Sequence, residues 1–192
     1  MGASLMFKKF LKISLFLSPL ALGCSQSHDL LFNSGFESGS EQTIDGWKPG
    51  ASLNNPDRFQ YGLDTTRRSG EHALKISNPQ PNDSWVSQDV PVKGGRTYKL
   101  SGWLKTENVQ LTQGTVGANL CVVGSFIRTT SLKGTQGWTQ VVSYFKTSPD
   151  RTALSVACRL GFTNSAVSGT AWFDDVEFRE IRLPAPPGLP EY

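Results

Sequence analysis

Thr170-Ala-Trp-Phe-Asp-Asp-Val-Glu-Phe178 alternates apolar and polar residues around an aspartate pair, and it answers Asn33-Ser-Gly-Phe-Glu37 with Gly46-Trp47 near the other end of the chain. Between the two lie about a hundred and thirty residues that read almost wholly as strands and turns. A carboxylate beside the first strand meets an aspartate pair in the last strand only if the chain's beginning and end come together. A β-sandwich does that when its first and last strands pair. Such a meeting would gather hard oxygen ligands of the kind calcium takes.

The intervening sequence supports the same architecture. From Gly35 to Gly70 it is rich in Gly, Asn, Asp, Pro and Ser around one aromatic patch, Phe59-Gln-Tyr61, and reads as loops around short strands. His72 to Ser77 alternates, and Trp85 to Val92 follows what reads as a turn over Asn78 to Asp83. In Gly95 to Thr106, Tyr98, Leu100 and Leu104 share one face, while Lys99, Ser101, Trp103 and Lys105 share the other. Further strands are expected at 115–123, 125–132, 139–146, 152–162 and 171–182. No segment carries a 3.6-residue apolar period, so the expectation is an all-β, two-sheet antiparallel sandwich over 30–183. The proline-rich tail from 184 to Tyr192 is not expected to hold a ladder, because proline lacks the donor.

The first 23 residues read as an address rather than as part of the fold. Lys8, Lys9 and Lys12 precede an apolar stretch from Ile13 to Leu22, which is far shorter than the roughly 20 residues a membrane span needs. Ala21-Leu22-Gly23-Cys24 resembles a bacterial lipobox. That implies acylation (palmitate among the chains) and cleavage at Cys24, with residues 24–29 as a short polar tether. The ordinary alternative is a secretory signal whose cysteine falls there by chance. No aspartate follows Cys24, so an outer-membrane anchor is the expected localisation.

Charge then changes meaning. The chain has 19 Lys+Arg against 16 Asp+Glu. Three of those lysines belong to the address, so the remainder is balanced. No basic run survives, which argues against nucleic-acid binding. With Cys24 committed to lipid, Cys121 and Cys158 form an even pair in an oxidising compartment, and a disulfide is one expectation. The other is two separate thiols, because the alternation places the cysteines on opposite faces of their strands.

The ordered set Asn33 to Glu37, Gly46-Trp47, Gly70-Glu-His-Ala-Leu-Lys-Ile76, Ser87 to Val92, Tyr98 to Trp103, Gly137 to Val141 and Asp174-Asp175-Val176 resembles the jelly-roll, galactose-binding-like carbohydrate-binding modules of families 4, 9 and 22. The resemblance spans about 30 to 182. It implies a structural calcium tying the first strand to the last, with Gly35 and Gly70 supplying carbonyls and Glu37 and Asp174 carboxylates. Asp174 reads as inward-pointing beside Val176 and Phe178, where a buried acid without a cation would be costly. The alternative is that these acids accept turn hydrogen bonds and no ion binds.

Sugar binding needs aromatic rings for the flat apolar faces of the pyranose and planar polar groups for its hydroxyls. The resemblance points to Trp85 and Gln88, on the strand that supplies binding residues in related members. Trp103, Asn119 and Arg159 alternate against core positions and could complete a groove. Trp47, Trp138 and Trp172 read as packing. Phe126 and the Phe59/Tyr61 patch are lesser platforms. Arg159 could instead pair with an acid in a neighbouring loop. Neither His28 nor His72 lies in a catalytic motif, and there is no nucleophile elbow, zinc helix or phosphate loop. The expectation is a non-catalytic, lipid-anchored, polysaccharide-binding envelope protein. The alternative is a structural or assembly lipoprotein using the same sandwich.

Overall fold

A computed structural model describes residues 28–112, 114–181 and 187–192, and the expected signal segment with Cys24 lies outside the described residues. Eleven strands form it: β1 Gly39–Ser40, β2 Thr43–Ile44, β3 Lys48–Ala51, β4 Gln60–Asp64, β5 Ala73–Asn82, β6 Ser84–Pro91, β7 Thr97–Leu111, β8 Ala118–Val122, β9 Gly134–Lys146, β10 Ala153–Leu160 and β11 Val167–Ile181. No helix occurs among the described residues. A four-stranded sheet has the order β3-β6-β10-β8 and a five-stranded sheet the order β4-β5-β11-β7-β9, every pairing antiparallel. The all-β two-layer sandwich is therefore observed.

The period-two pattern explains the core. Val86, Leu120, Val156, Cys158 and Leu160 from the smaller sheet are buried against Leu74, Ile76, Leu100, Leu104 and Phe173 from the larger. Tyr98, Phe145 and Phe178 stack at one end, with the Tyr98 and Phe178 rings 5.0 Å apart. Each such ring contributes about 1.5–3 kcal/mol by leaving water.

The beginning and end of the domain do meet. Leu30 N donates to Phe178 O at 2.8 Å and Val176 N to Ser34 O at 3.0 Å, continuing the side of β11 that β5 leaves at Phe173. Asp29 closes the join by accepting from Phe178 N.

Four local readings need correction. Asn78 to Asp83 is not a turn. β5 runs straight through Pro79 and Pro81 to Asn82 and crosses into the other sheet at Asp83. Proline is tolerated because β4 stops pairing at Ser77, so the far part of β5 needs no donor on that side. Residues 125–132 do not make a regular strand. They line the free edge of β8 through separate bridges, Ala118 with Leu132 and Cys121 with Arg128. The end of the tail does pair, through one isolated parallel bridge between Lys146 and Glu191: Lys146 N donates to Pro190 O, and Tyr192 N to Lys146 O. Proline serves there through its carbonyl, which it keeps. Finally, Cys121 and Cys158 are both free, so the disulfide is absent. Cys121 is on the outer face of its sheet with Ala157 and Cys158 is in the core, as opposite parity requires.

Candidate functional site

The outer face of the four-stranded sheet collects three of the five expected ligand-binding residues in one cross-strand row. Gly50 pairs with Trp85, Trp85 with Arg159, and Arg159 with Asn119. Trp85 is partly exposed, and its indole lies flat across β3. A side chain at Gly50 would meet that ring at 2.6 Å, so glycine there is what lets the ring lie down.

Arg159 and Asn119 are less available than their alternation suggests. Arg159 Nε donates to Asp83 Oδ1 at 2.7 Å and Nη2 to Asp83 Oδ2 at 2.5 Å, a fork-to-fork pair in which both side chains are almost fully buried. This is the pairing with a neighbouring loop acid, and the loop is the β5–β6 corner. The guanidinium sits 5.1 Å from the Trp85 ring and 4.6 Å from the Phe162 ring. Burial works against its charge, yet the Asp83 carboxylate and the neighbouring Cys121 hold its pKa above the ordinary value. Asn119 is fully buried and donates to Gly117 O and Gly161 O, clamping two loop carbonyls while its Oδ1 has no protein partner.

On the β8 side this face is roofed. Val116 and Phe162 pack with Cys121 and Ala157 into a small apolar cluster against which Trp85 and Val123 rest. Burial pushes the Cys121 thiol up to about 11, against the pull of the Arg159 charge. What stays open is a hollow of about 380 Å³ at the Asp83 end of β6. Its walls include Leu53, Asp83, Trp85, Arg159, Phe162 and Asn164. Asp83, Phe162 and Asn164 were not singled out from the sequence. Asn164 stands in a tight turn closed by the Phe162–Ser165 bridge, at a positive φ of 61°, and an Asn in a turn gives no cue of its own.

Gln88 and Trp103 do not reach this site. Gln88 is three residues from Trp85, so it points to the opposite face of β6. There its Oε1 accepts from Phe32 N at 2.7 Å and its Nε2 donates to Phe32 O at 2.9 Å. Its planar amide is spent on backbone. Trp103 is on the outer face of the other sheet, under the Arg68 guanidinium at 4.0 Å. A groove floored by Trp85 and Trp103 together is therefore not formed. Trp47 and Trp172 are buried, Phe59 joins the core, and Phe126 is a lone exposed ring.

The expected calcium residues surround one loop but divide it between them. Glu37 accepts from Glu71 N at 2.9 Å and lies against Gly70, where a Cβ would overlap its Oε1. On the other side, Asp174 Oδ2 accepts from Arg68 N at 2.8 Å and Ser69 N at 3.1 Å, while its Oδ1 accepts from Asp175 N at 2.7 Å. The Gly70 carbonyl accepts from Arg67 Nε at 2.7 Å. No three His, Cys, Asp or Glu side chains converge among the described residues. With their lone pairs turned onto N–H donors, Glu37, Gly70 and Asp174 do not fit a calcium cage as they stand. Gly35 lies next to Glu37, whose Cγ is 3.9 Å from where a Cβ on Gly35 would stand.

Asp174 also faces the other way from its expected orientation. A bulge in β11 sets Asp174 opposite Trp103 and Glu177 opposite Ser101, inserting one extra residue with Asp175 at a positive φ of 46°. The pleat reverses there, so Asp174 shares the outer face of Trp172, and the loop above it provides the burial. That burial raises its pKa, outweighing the amides of Ser69, Arg68 and Asp175 that favour the charged form.

No protein-family model matches the chain, and no curated protein matches it in sequence. Solved structures do match in shape. The enzymatically active domain of bacteriophage CBA120 tailspike protein 4 shares 14% identity at a TM-score of 0.58 over 80% of this chain, which spans only 21% of that one. A family 61 carbohydrate-binding module, solved with β-1,4-galactotriose, shares 14% identity at 0.53, with 81% of this chain and 100% of that one covered. A family 4 module shares 16% identity at 0.55, covering 78% and 99%. A cyclase from Fischerella sp. has the fold too, at 11% identity, a TM-score of 0.54, and 80% and 96% coverage. The protein is thus a jelly-roll β-sandwich of the kind carbohydrate-binding modules use. The cyclase, matched over 96% of its length, shows that this fold also serves an enzyme.

Proposed function

We propose that the protein is a non-catalytic glycan-binding domain, held at the cell envelope, most simply the outer membrane, by acylation of Cys24. Its binding site is the hollow beside Trp85. The observation that carries the reading is the meeting, in one recess, of a partly exposed indole and the edge of a planar, nearly buried carboxylate–guanidinium pair. The indole offers a stacking surface to a sugar face. Asn164, with what the mutually paired Asp83 and Arg159 leave accessible, offers acceptors and donors to its hydroxyls. The recess volume lies at the small end of ligand sites, roughly 300–1,000 Å³, which suits a short stretch of one chain. An open, wet site of this sort gives affinities on the order of micromolar to millimolar. The carbohydrate-binding modules that share the fold support the reading, and no catalytic pair is proposed.

The test is retardation of the domain from residue 28 onward in gels containing a panel of soluble polysaccharides. Retardation by at least one polymer, lost in Trp85→Ala with unchanged circular dichroism, supports the proposal. Migration unaffected by every polymer rejects it. A second reading, a structural or assembly role, draws on the roofed half of the same face, where Val116, Cys121, Ala157 and Phe162 leave no room for a chain. Acylation is checked separately, by incorporation of labelled palmitate that disappears in Cys24→Ser.

A further inference from the structure

Phe32 is 62% exposed and its neighbour Leu30 is 37% exposed, while Leu31 between them is buried. The exposure is not that of a loose end. The backbone of Phe32 is gripped at both polar atoms by Gln88, a buried side chain, and Trp47 Nε1 donates to the Phe32 carbonyl at 3.2 Å. Leu30 is fixed in the same way, its N–H bonded to Phe178 O. Two apolar side chains are thus held outward by backbone contacts to both sheets. Neither belongs to the core cluster or lines the hollow, and the Phe32 ring lies over Gly46, where a Cβ would meet it at 2.7 Å.

Chain length says what lies against them. Leu30 is six residues from Cys24, and a fully extended chain spans at most about 3.5 Å per residue. If Cys24 is acylated, Leu30 stays within about 20 Å of the lipid surface, whichever way the domain turns. The charges close in sequence to the partners of this pair are matched by acids: Lys48, next to Trp47, with Asp89 at 3.2 Å, and Arg179, next to Phe178, with Glu177 at 3.1 Å. The contact is therefore apolar insertion at the headgroup boundary rather than attraction to lipid charge.

We infer that Phe32, with Leu30 beside it, is a membrane-interface foot that seats the domain on the bilayer to which Cys24 tethers it. The inference rests on the acylation of Cys24. Tethering makes the insertion intramolecular, so a patch too small to recruit a free domain suffices for one already anchored. The consequence is placement. Phe32 lies beside Gln88 in the middle of β6, whereas the hollow opens around Asp83 and Trp85 at the start of that strand, three to five residues away, roughly 10–17 Å along it. Seating the foot places the hollow at that distance from the inserted ring.

The experiment uses the full chain, purified acylated from membranes and reconstituted in phosphatidylethanolamine/phosphatidylglycerol vesicles. Phe32→Cys, and separately Phe126→Cys, carries an environment-sensitive fluorophore. Cys121 and Cys158 are fully buried and do not compete for label. Phe126, 88% exposed beside the β8 edge, is the control at the opposite side of the four-stranded sheet. Mass spectrometry first establishes the acyl chains on Cys24. The expected result is quenching by brominated lipid at least threefold stronger at 32 than at 126, unchanged between low and high salt. Equal or absent quenching in protein of proven acylation overturns the foot and leaves the anchor standing. Shielding of position 32 from iodide without quenching by brominated lipid also overturns it, since a protein surface then covers the patch. An unacylated Cys24 overturns both.

Discussion

Replacing Asp174 by asparagine tests how the ends of the domain are joined. The carboxylate is fully buried and accepts three backbone N–H bonds, two at Oδ2 from Arg68 and Ser69 and one at Oδ1 from Asp175. An amide keeps only one acceptor. Whichever way it turns, its NH₂ faces an amide N–H, leaving at least one donor unpaired. Each buried unpaired group costs about 1–3 kcal/mol. The substitution also removes a buried charge whose desolvation opposes folding, so the net loss should be about 1–2 kcal/mol, or roughly 3–8 °C in melting temperature. The pH dependence supplies a sign. Because the folded pKa of Asp174 is raised above 3.8, its contribution to stability is largest below that value and falls as pH rises through the folded pKa. The Asn variant lacks this dependence, so its deficit is larger in acid than at neutral pH. Thermal unfolding by circular dichroism at pH 3.5 and pH 7 reads both. Asp175→Asn, at the partly exposed partner of Arg68 and Ser69, should cost under about 1 kcal/mol. An Asp174→Asn protein as stable as the parent, or one less damaged than Asp175→Asn, would refute the reasoning.

Other consequences are equally direct. Arg159→Leu should destabilise by about 3–5 kcal/mol by stranding the buried Asp83 carboxylate, and the Asp83→Leu/Arg159→Leu double variant should recover most of the loss in urea unfolding. Native protein should show no reaction of Cys121 or Cys158 with a thiol reagent at pH 8, because burial raises both thiols, whereas unfolded protein should titrate both without a reductant. Calcium against chelator should move the melting temperature by less than about 1 °C if Glu37 and Asp174 are committed to N–H donors; a shift of several degrees would assign them to a cation. Gln88→Ala should cost about 1–3 kcal/mol by freeing both backbone groups of Phe32.

Alternation carried much of this structure legibly in the sequence. The parity of Tyr98, Leu100 and Leu104 marks one face of a strand whatever sheet it joins, and Arg159 and Trp85 stand against their core neighbours in the same way. What alternation does not carry is which sheet a strand enters. Trp103 satisfies the pattern of an outward tryptophan, yet it belongs to the five-stranded sheet, far from Trp85. Nor does a pattern of period two foresee its own interruption. The extra residue at the Asp174–Glu177 bulge reverses the pleat and moves Asp174 to the opposite face. Gln88 is different, because its three-residue offset from Trp85 already placed it on the other side of β6. The Asp83–Arg159 pair joins residues 76 apart in sequence, and only the register of β6 against β10 brings them together.

The account stands or falls on where a glycan touches the domain. A titration of ¹⁵N-labelled protein, residues 28 onward, with oligosaccharides drawn from whichever polymer retards it in gels reads this residue by residue. The account predicts saturable shifts at the Trp85 indole N–H and at the amides of Asp83, Phe162 and Asn164, with the outer face around Trp103 and Trp172 undisturbed. Shifts confined to that outer face, or no shift with any oligosaccharide, would contradict it.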